Sequence, residues 1–218
     1  MSRRDPRLDD AHALYEASMF YGDEHAVDKA LPLLDRVEAD LALARGKILH
    51  AKFLRDRDQA DPAELELFLR ASELYHRFGD ERGYAEAMFW IGTYYQVIEH
   101  DGRGSWPFLR HAESLAEAAE DRLLLSYIVR HLGFVHQYED GDLDRARQRL
   151  EQSVALRREV GHQPGVAAGL LALAELSGQA GDAAERERLL DEAERTAAEA
   201  EAHGVLRWIA AARSGADG

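Results

Sequence analysis

Residues 85–97 read AEAMFWIGTYYQV and residues 126–138 read SYIVRHLGFVHQY, and the two segments superpose at an offset of 41 with Gly92 on Gly133. The offset extends to the rest of the chain. Ala51, Gly92, Gly133 and Ala174 form a column of small residues, and Phe53, Tyr94, Val135 and Leu176 a bulky column two positions later. Leu33, Leu74, Leu115 and Leu156 repeat at the same offset, as do Val27, Phe68, Leu109 and Leu150, the last continued one residue early by Leu190. Ala30, Ala71, Ala112 and Ser153 make a second small column, continued by Ala193. Five columns on one period indicate a repeat array. A small residue on each of two helices lets them approach closely, and bulky residues three or four positions away fill the groove between them.

Turn signals separate the helices. Gly22-Asp23, Asp58 to Asp61, Asp101-Gly102, Gly141-Asp142 and Gly181-Asp182 divide the members of a pair, whereas Gly46, Gly79-Asp80, Asp121, Gly161 and Gly204 divide one pair from the next. Asp61, Pro62 and Glu64 read as an N-cap, a first-turn proline and a capping-box acid. Pro164 also marks a helix start, and Pro32 is expected to kink or delay its helix. The chain is therefore expected to be all-α and a single domain over 1–218. It reads as five antiparallel helix pairs, 8–21 with 25–43, 45–57 with 62–78, 82–99 with 106–119, 122–139 with 143–160, and 164–180 with 183–202. A C-terminal capping helix is expected over 205–213, where Val205, Leu206, Ile209 and Ala212 share one side.

Ile91-Gly92-x-x-Tyr95 resembles the Leu-Gly-x-x-Tyr signature of the first helix in a tetratricopeptide repeat, and Leu132-Gly133-x-x-His136 repeats it with His for Tyr. Leu173-Ala174-x-x-Ser177 and His50-Ala51-x-x-Leu54 are weaker copies, and the run Ala155 to Gly161 resembles the repeat ends of bacterial regulators of that family. The resemblance covers 45–202 and implies a right-handed superhelical solenoid. The family's usual period is 34 residues, so a period of 41 adds about one helical turn to each helix. It also implies that the first helix of each pair lines a concave groove through the positions six and three before the small column and one and four after it. Carried onto this chain, those positions are Arg45, Ile48, Lys52 and Arg55; Glu86, Phe89, Thr93 and Gln96; Tyr127, Arg130, Phe134 and Gln137; and Ala168, Leu171, Glu175 and Gly178. The stripe runs from basic to aromatic, which suits an acidic or carboxylate-bearing peptide. The alternative for each of these residues is ordinary packing between helices. The family's known clamp for a C-terminal carboxylate uses paired Asn side chains, and the chain contains no Asn, so that clamp is not expected.

Composition narrows the classes further. A net charge of −14 argues against a general nucleic-acid binder, although residues 45–57 hold five Lys or Arg and one acid. Cysteine is absent, the opening MSRRDPRLDD leads into no apolar run, and no stretch of about 18 apolar residues occurs. A cytoplasmic, non-membrane protein is expected. Three lysines against 24 arginines, with abundant alanine, suggest a GC-rich, bacterial coding sequence.

No motif commits the chain to catalysis. His131 and His136 are five apart, on different sides of a helix, and no His-Glu-x-x-His occurs. Glu73-x-x-His76 has the spacing of a di-iron carboxylate motif but lacks the second copy, and Asp56-x-Asp58 lacks the rest of a calcium loop. Residues 100–105 are glycine-rich without a P-loop ending and read as a long turn with Ser105 as a cap. The eight acids of 182–201 read as a solvated face. No metal or cofactor is therefore expected. The leading expectation is an adaptor or regulatory module that binds a protein or peptide partner in the groove. The alternative is a small-molecule-binding protein or cofactor-independent enzyme using an aromatic pocket of Trp90, Tyr94, His131 and Tyr138, with Tyr127, His136 and Glu139 nearby. A self-associating structural piece is the third.

Overall fold

The Gly-Asp pairs act as helix punctuation. Gly141 sits in the left-handed region at φ 67°, ending one helix, and the side chain of Asp142 then accepts from the backbone N–H of Arg145 to start the next. Gly79 and Asp80 do the same before Gly83, and Gly181 and Asp182 before Glu185. Asp5, Asp101 and Asp121 cap helices in the same way. Each such cap satisfies an N–H that the helix itself cannot, and contributes about 1 kcal/mol.

The computed structural model describes residues 5–56 and 60–215. Among these, ten α-helices and no strand occur: α1 Pro6–Tyr21, α2 Ala26–Asp56, α3 Ala63–Arg77, α4 Glu81–Val97, α5 Gly102–Ala118, α6 Arg122–Val135, α7 Leu143–Glu159, α8 Gln163–Gln179, α9 Ala183–Glu199 and α10 His203–Ser214. A π-helical turn, His136–Asp140, follows α6 directly. The fold is all-α, of the helical-solenoid class, with consecutive helices packed in antiparallel-like pairs. The chain groups into two compact units, Met1–Tyr94 and Tyr95–Gly218.

In the first unit, α2 packs against both α1 and α3. Two helices were expected over 25–57, divided at Gly46, but one 31-residue helix runs through. Gly46 is not a turn. It is a contact point, since a Cβ built there would lie 2.5 Å from the Phe68 ring. Pro32 lies inside α2 without delaying its start, and costs the helix one N–H donor. Asp61 does cap α3, through the N–H of Ala63. Glu64 does not close a capping box, because it turns into the interior to meet His50. Asp58 and the expected helix end at 57 lie outside the described residues.

In the second unit, α5 to α9 pack each on the next, and α10 covers α8 and α9. Leu150, Val154, Leu170, Leu173, Leu176, Leu189 and Leu190 fill the core. Val205 and Ile209 of α10 close it as the expected cap. The glycine-rich stretch 100–105 is not a long turn. Asp101 accepts from Gly104 N–H, α5 begins at Gly102, and Ser105 donates back to the Gly102 carbonyl instead of capping. Gly104 has no side chain because a Cβ would lie 2.1 Å from the Asp101 carboxylate.

Candidate functional site

The basic stripe expected at Arg45, Ile48, Lys52 and Arg55 is exposed on α2, facing away from the packed side. Arg55 pairs with its neighbour Asp56. The register expected from the small column is displaced here. Gly133 meets Leu150, 17 residues on, whereas Gly46 meets Phe68, 22 residues on, although Leu150 and Phe68 share one column. The small contact residue of the second pair is therefore Gly46, five positions before Ala51, which is exposed. Six residues, 57–62, lie between the ends of α2 and α3 in the sequence, against the two between the π turn and α7. Applying the same stripe to Gly46 selects Asp40, Leu43, Lys47 and His50, and these engage the rest of the unit. Asp40 accepts from the Tyr75 hydroxyl at 2.7 Å, and Leu43 is buried. Lys47 donates to Glu86 at 2.8 Å and lies 5.7 Å from the Trp90 ring centre. His50 Nδ1 and Glu64 Oε1 are 2.8 Å apart in the interior.

The third stripe is interior. Glu86 is buried between Lys47 and Arg82, both of which donate to it. Phe89 is buried against the edge of Trp90, and Thr93 donates to the Phe89 carbonyl. Trp90 is half-buried among Phe68, Phe89, His50 and Lys47, and Tyr94 is buried. Of the four residues of the alternative pocket, Trp90 and Tyr94 belong to the first unit, and His131 and Tyr138 to the second.

The second unit gathers the remaining candidates along α6. Gln96 and His131 hold each other twice: the Gln96 amide donates to the His131 carbonyl at 3.0 Å, and its oxygen meets His131 Nδ1 at 2.5 Å. His131 is edge-on to Phe134, which packs against Tyr138. Arg130 lies over Phe134, with its guanidinium carbon 4.6 Å from the ring centre. Its Nε is buried without an acceptor, and the residue makes no hydrogen bond or ion pair among the described residues. Burial pushes its pKa down, opposed by the carboxylate of Glu175 on α8. Glu175 and Gly178 are exposed, Ala168 half-buried and Leu171 buried. Gln137 turns inward and donates to Gln179 at 2.9 Å, leaving its own oxygen without a partner. Beside Phe134 and Tyr138 opens a cleft of about 230 Å³, lined also by Gln96, His100, Gly102 and Glu139. Gly102 makes room for the Glu139 side chain, whose carboxylate lies 2.5 Å from where a Cβ would stand.

Tyr127 leads to a second cluster that sequence reasoning missed. Its hydroxyl meets His162 Nε2 at 3.0 Å, and the guanidinium of Arg157 lies 4.9 Å from its ring centre. Arg157 is 1% exposed, donating to the Gly165 carbonyl and the Ser126 hydroxyl, with no carboxylate paired to it among the described residues. Burial, aided by the nearby charge of Arg130, pushes its pKa down to about 10. Gly165 on α8 lies against His162 and the Arg157 side chain, where a Cβ would stand 2.9 Å from Arg157 Cδ, and Gly169 one turn on makes room for Val154. Gly165 was the available signal. His136 was grouped with Tyr138 and Glu139 as acid–base candidates; it is buried, bound to Asp140 and set edge-on to Trp106. Among the described residues, no group of three or more His, Asp or Glu side chains converges as metal ligands would. No helix among them is long and apolar enough to cross a membrane.

No protein-family model and no curated protein sequence matches the chain. Among solved structures it is similar to the crystal structure of BtubC (BKLC) from P. vanneervenii, with 16% identity, a TM-score of 0.56 and 90% of each chain covered. At that identity the likeness supports the fold alone.

Proposed function

We propose that the chain is a binding module built on tetratricopeptide-like helix pairs, and that it takes an acidic peptide segment of a protein partner on the α6 face of the second unit. The observation that carries this reading is Arg130, whose guanidinium sits over Phe134 with no hydrogen-bond acceptor of its own among the described residues. A partly buried guanidinium with no hydrogen-bonded carboxylate gains from one brought by a ligand, since charge-assisted pairs are the stronger hydrogen bonds. Phe134 and Tyr138 beside it supply apolar contact. The buried charge of Arg157 behind Tyr127 adds a positive field to the same side.

The adjacent cleft bears on the small-molecule alternative. Its volume of about 230 Å³ falls below the roughly 300–1,000 Å³ of pockets that enclose a whole ligand. It suits one side chain of a bound segment better than a substrate. Fluorescence anisotropy with labelled synthetic peptides, acidic with one aromatic or leucine anchor, tests the reading. The wild-type chain binds the acidic series and not the amide-substituted series, and Arg130→Ala weakens binding about tenfold or more, the scale of one charge-assisted contact. Equal affinity of wild type and Arg130→Ala, with unchanged circular dichroism, overturns the reading.

A further inference from the structure

We infer that the long helix α2 is the seam of an antiparallel homodimer of this chain. At 31 residues α2 is far longer than the other helices, which have 12–17. Its residues Val27, Leu31, Leu34, Glu38, Leu41, Arg45, Ile48, Lys52 and Arg55 follow one another in alternating steps of four and three, and all nine are exposed. Alternation of that kind places them on a single seam, the pattern by which one helix packs along another. Five of the nine are large apolar side chains, 40–69% exposed. The opposite side, with Ala39, Ala42, Leu43, Gly46 and His50, is already buried within the unit. A solvated helix needs polar residues on its outer stripe; this one carries five large apolar side chains among four charged ones.

The order of charges selects the occupant and its direction. Glu38 is acidic, whereas Arg45, Lys52 and Arg55 crowd the C-terminal end. A parallel copy would set those three cations against their own counterparts. An antiparallel copy related by a two-fold axis at Leu41 brings residues whose numbers sum to 82 to one level. Leu41 then faces Leu41 of the second copy, Leu34 faces Ile48, and Val27 lies along the aliphatic stem of Arg55. Glu38 comes within one turn of Arg45 of the second copy; one of its oxygens is held by Arg70, leaving the other to accept. Such an interface is isologous, the commonest arrangement in soluble oligomers. The seam is about 46 Å long at 1.5 Å per residue and about 10 Å wide. Its footprint is therefore below the roughly 800 Å² per partner of a standard interface, and the dimer is reversible.

The chain has no cysteine, so single substitutions give clean cross-linking reporters. Under mild oxidation Leu41→Cys forms an intermolecular disulfide, because its two copies meet at the axis. Ile48→Cys alone does not, since its copies stand about 21 Å apart along the seam, beyond the ~7 Å limit between Cα atoms in a disulfide. An equimolar mixture of Leu34→Cys and Ile48→Cys chains cross-links between the two variants. Sedimentation velocity of the wild type shows a concentration-dependent monomer–dimer shift. Leu41→Glu, with helix content unchanged, removes it. A wild type that stays monomeric at every concentration, or Leu41→Cys and Ile48→Cys cross-linking at equal rates, overturns the proposal. Self-cross-linking of all three positions would indicate a parallel dimer and overturns it equally.

Discussion

Replacing His50 by Leu tests how the first unit is held together. Glu64 is fully buried and His50 nearly so, and their one hydrogen bond is 2.8 Å long. The second carboxylate oxygen of Glu64 has no partner among the described residues. His50→Leu therefore leaves a carboxyl group with no partner in the interior, and breaking such a buried pair from one side costs about 3–5 kcal/mol. His50→Leu together with Glu64→Met fills the same space with apolar atoms and removes both polar groups. The double variant is expected within about 1 kcal/mol of wild type, since replacing a buried pair by packed apolar residues is often neutral. Trp90 reports the local transition, with its ring 5.4 Å from His50. Trp106→Phe and Trp208→Phe make it the sole indole in the chain, which has three Trp. With a urea dependence of about 2 kcal/mol per molar, the single variant lowers the midpoint of Trp90 fluorescence by about 1.5–2.5 M, and the double variant recovers most of that. A single variant shifted by less than about 0.5 M, or a double variant as damaged as the single, refutes the account of a desolvated pair.

Two further perturbations follow. His162 has a pKa below its usual 6.5 through burial first and the charge of Arg157 second. The folded state thus takes up its proton later than the unfolded state, so this group's contribution is complete above about 6.5 and lost as pH falls through the lower folded value. His162→Gln should flatten the stability-versus-pH curve in that window, read by urea melts at successive pH values; an unchanged slope contradicts it. Asp101→Ala removes the acceptor for Gly104 N–H and should cost about 1 kcal/mol, measured as a thermal-midpoint change, whereas no change would mean that α5 starts without its cap.

The repeat was legible because its spacing is set by packing. Gly92, Gly133 and Ala174 are buried, as are Phe68, Leu109, Leu150 and Leu190, as a column of crossing contacts requires. The Gly-Asp pairs were legible as punctuation for the same local reason, one residue ending a helix and the next starting another. Gly46 was misread because a glycine signals both a turn and a close approach, and only the Phe68 ring opposite it decides between them. The stripe on α2 inherited that error through Ala51, so Arg45, Lys52 and Arg55 were placed half a turn from the residues that engage the unit. Arg157 could not be assigned from its own neighbourhood, because a basic residue near a helix end is ordinarily solvated. The space it fills is bounded by Gly165 on the following helix, whose carbonyl it also binds. The π turn at 136–140 left no mark in the hydrophobic pattern, since His136 and Gln137 are buried polar groups and Tyr138 is exposed.

In an array of helix pairs, each break between pairs is a joint where curvature can be adjusted. By running unbroken from Ala26 to Asp56, α2 removes one such joint. Arg7 of α1 and Tyr75 of α3 both bind Asp40 near the middle of this helix, and α3 also meets it at Glu38, Gly46 and His50, so α1 and α3 are fixed to one stiff rod about 46 Å long. Nucleating a helix is costly and extending it is not, so one nucleation event serves both halves. A glycine pair or a loop inserted at residue 46 would restore the joint and uncouple the contacts of Asp35, Glu38 and Asp40 from those made by Lys47 and His50.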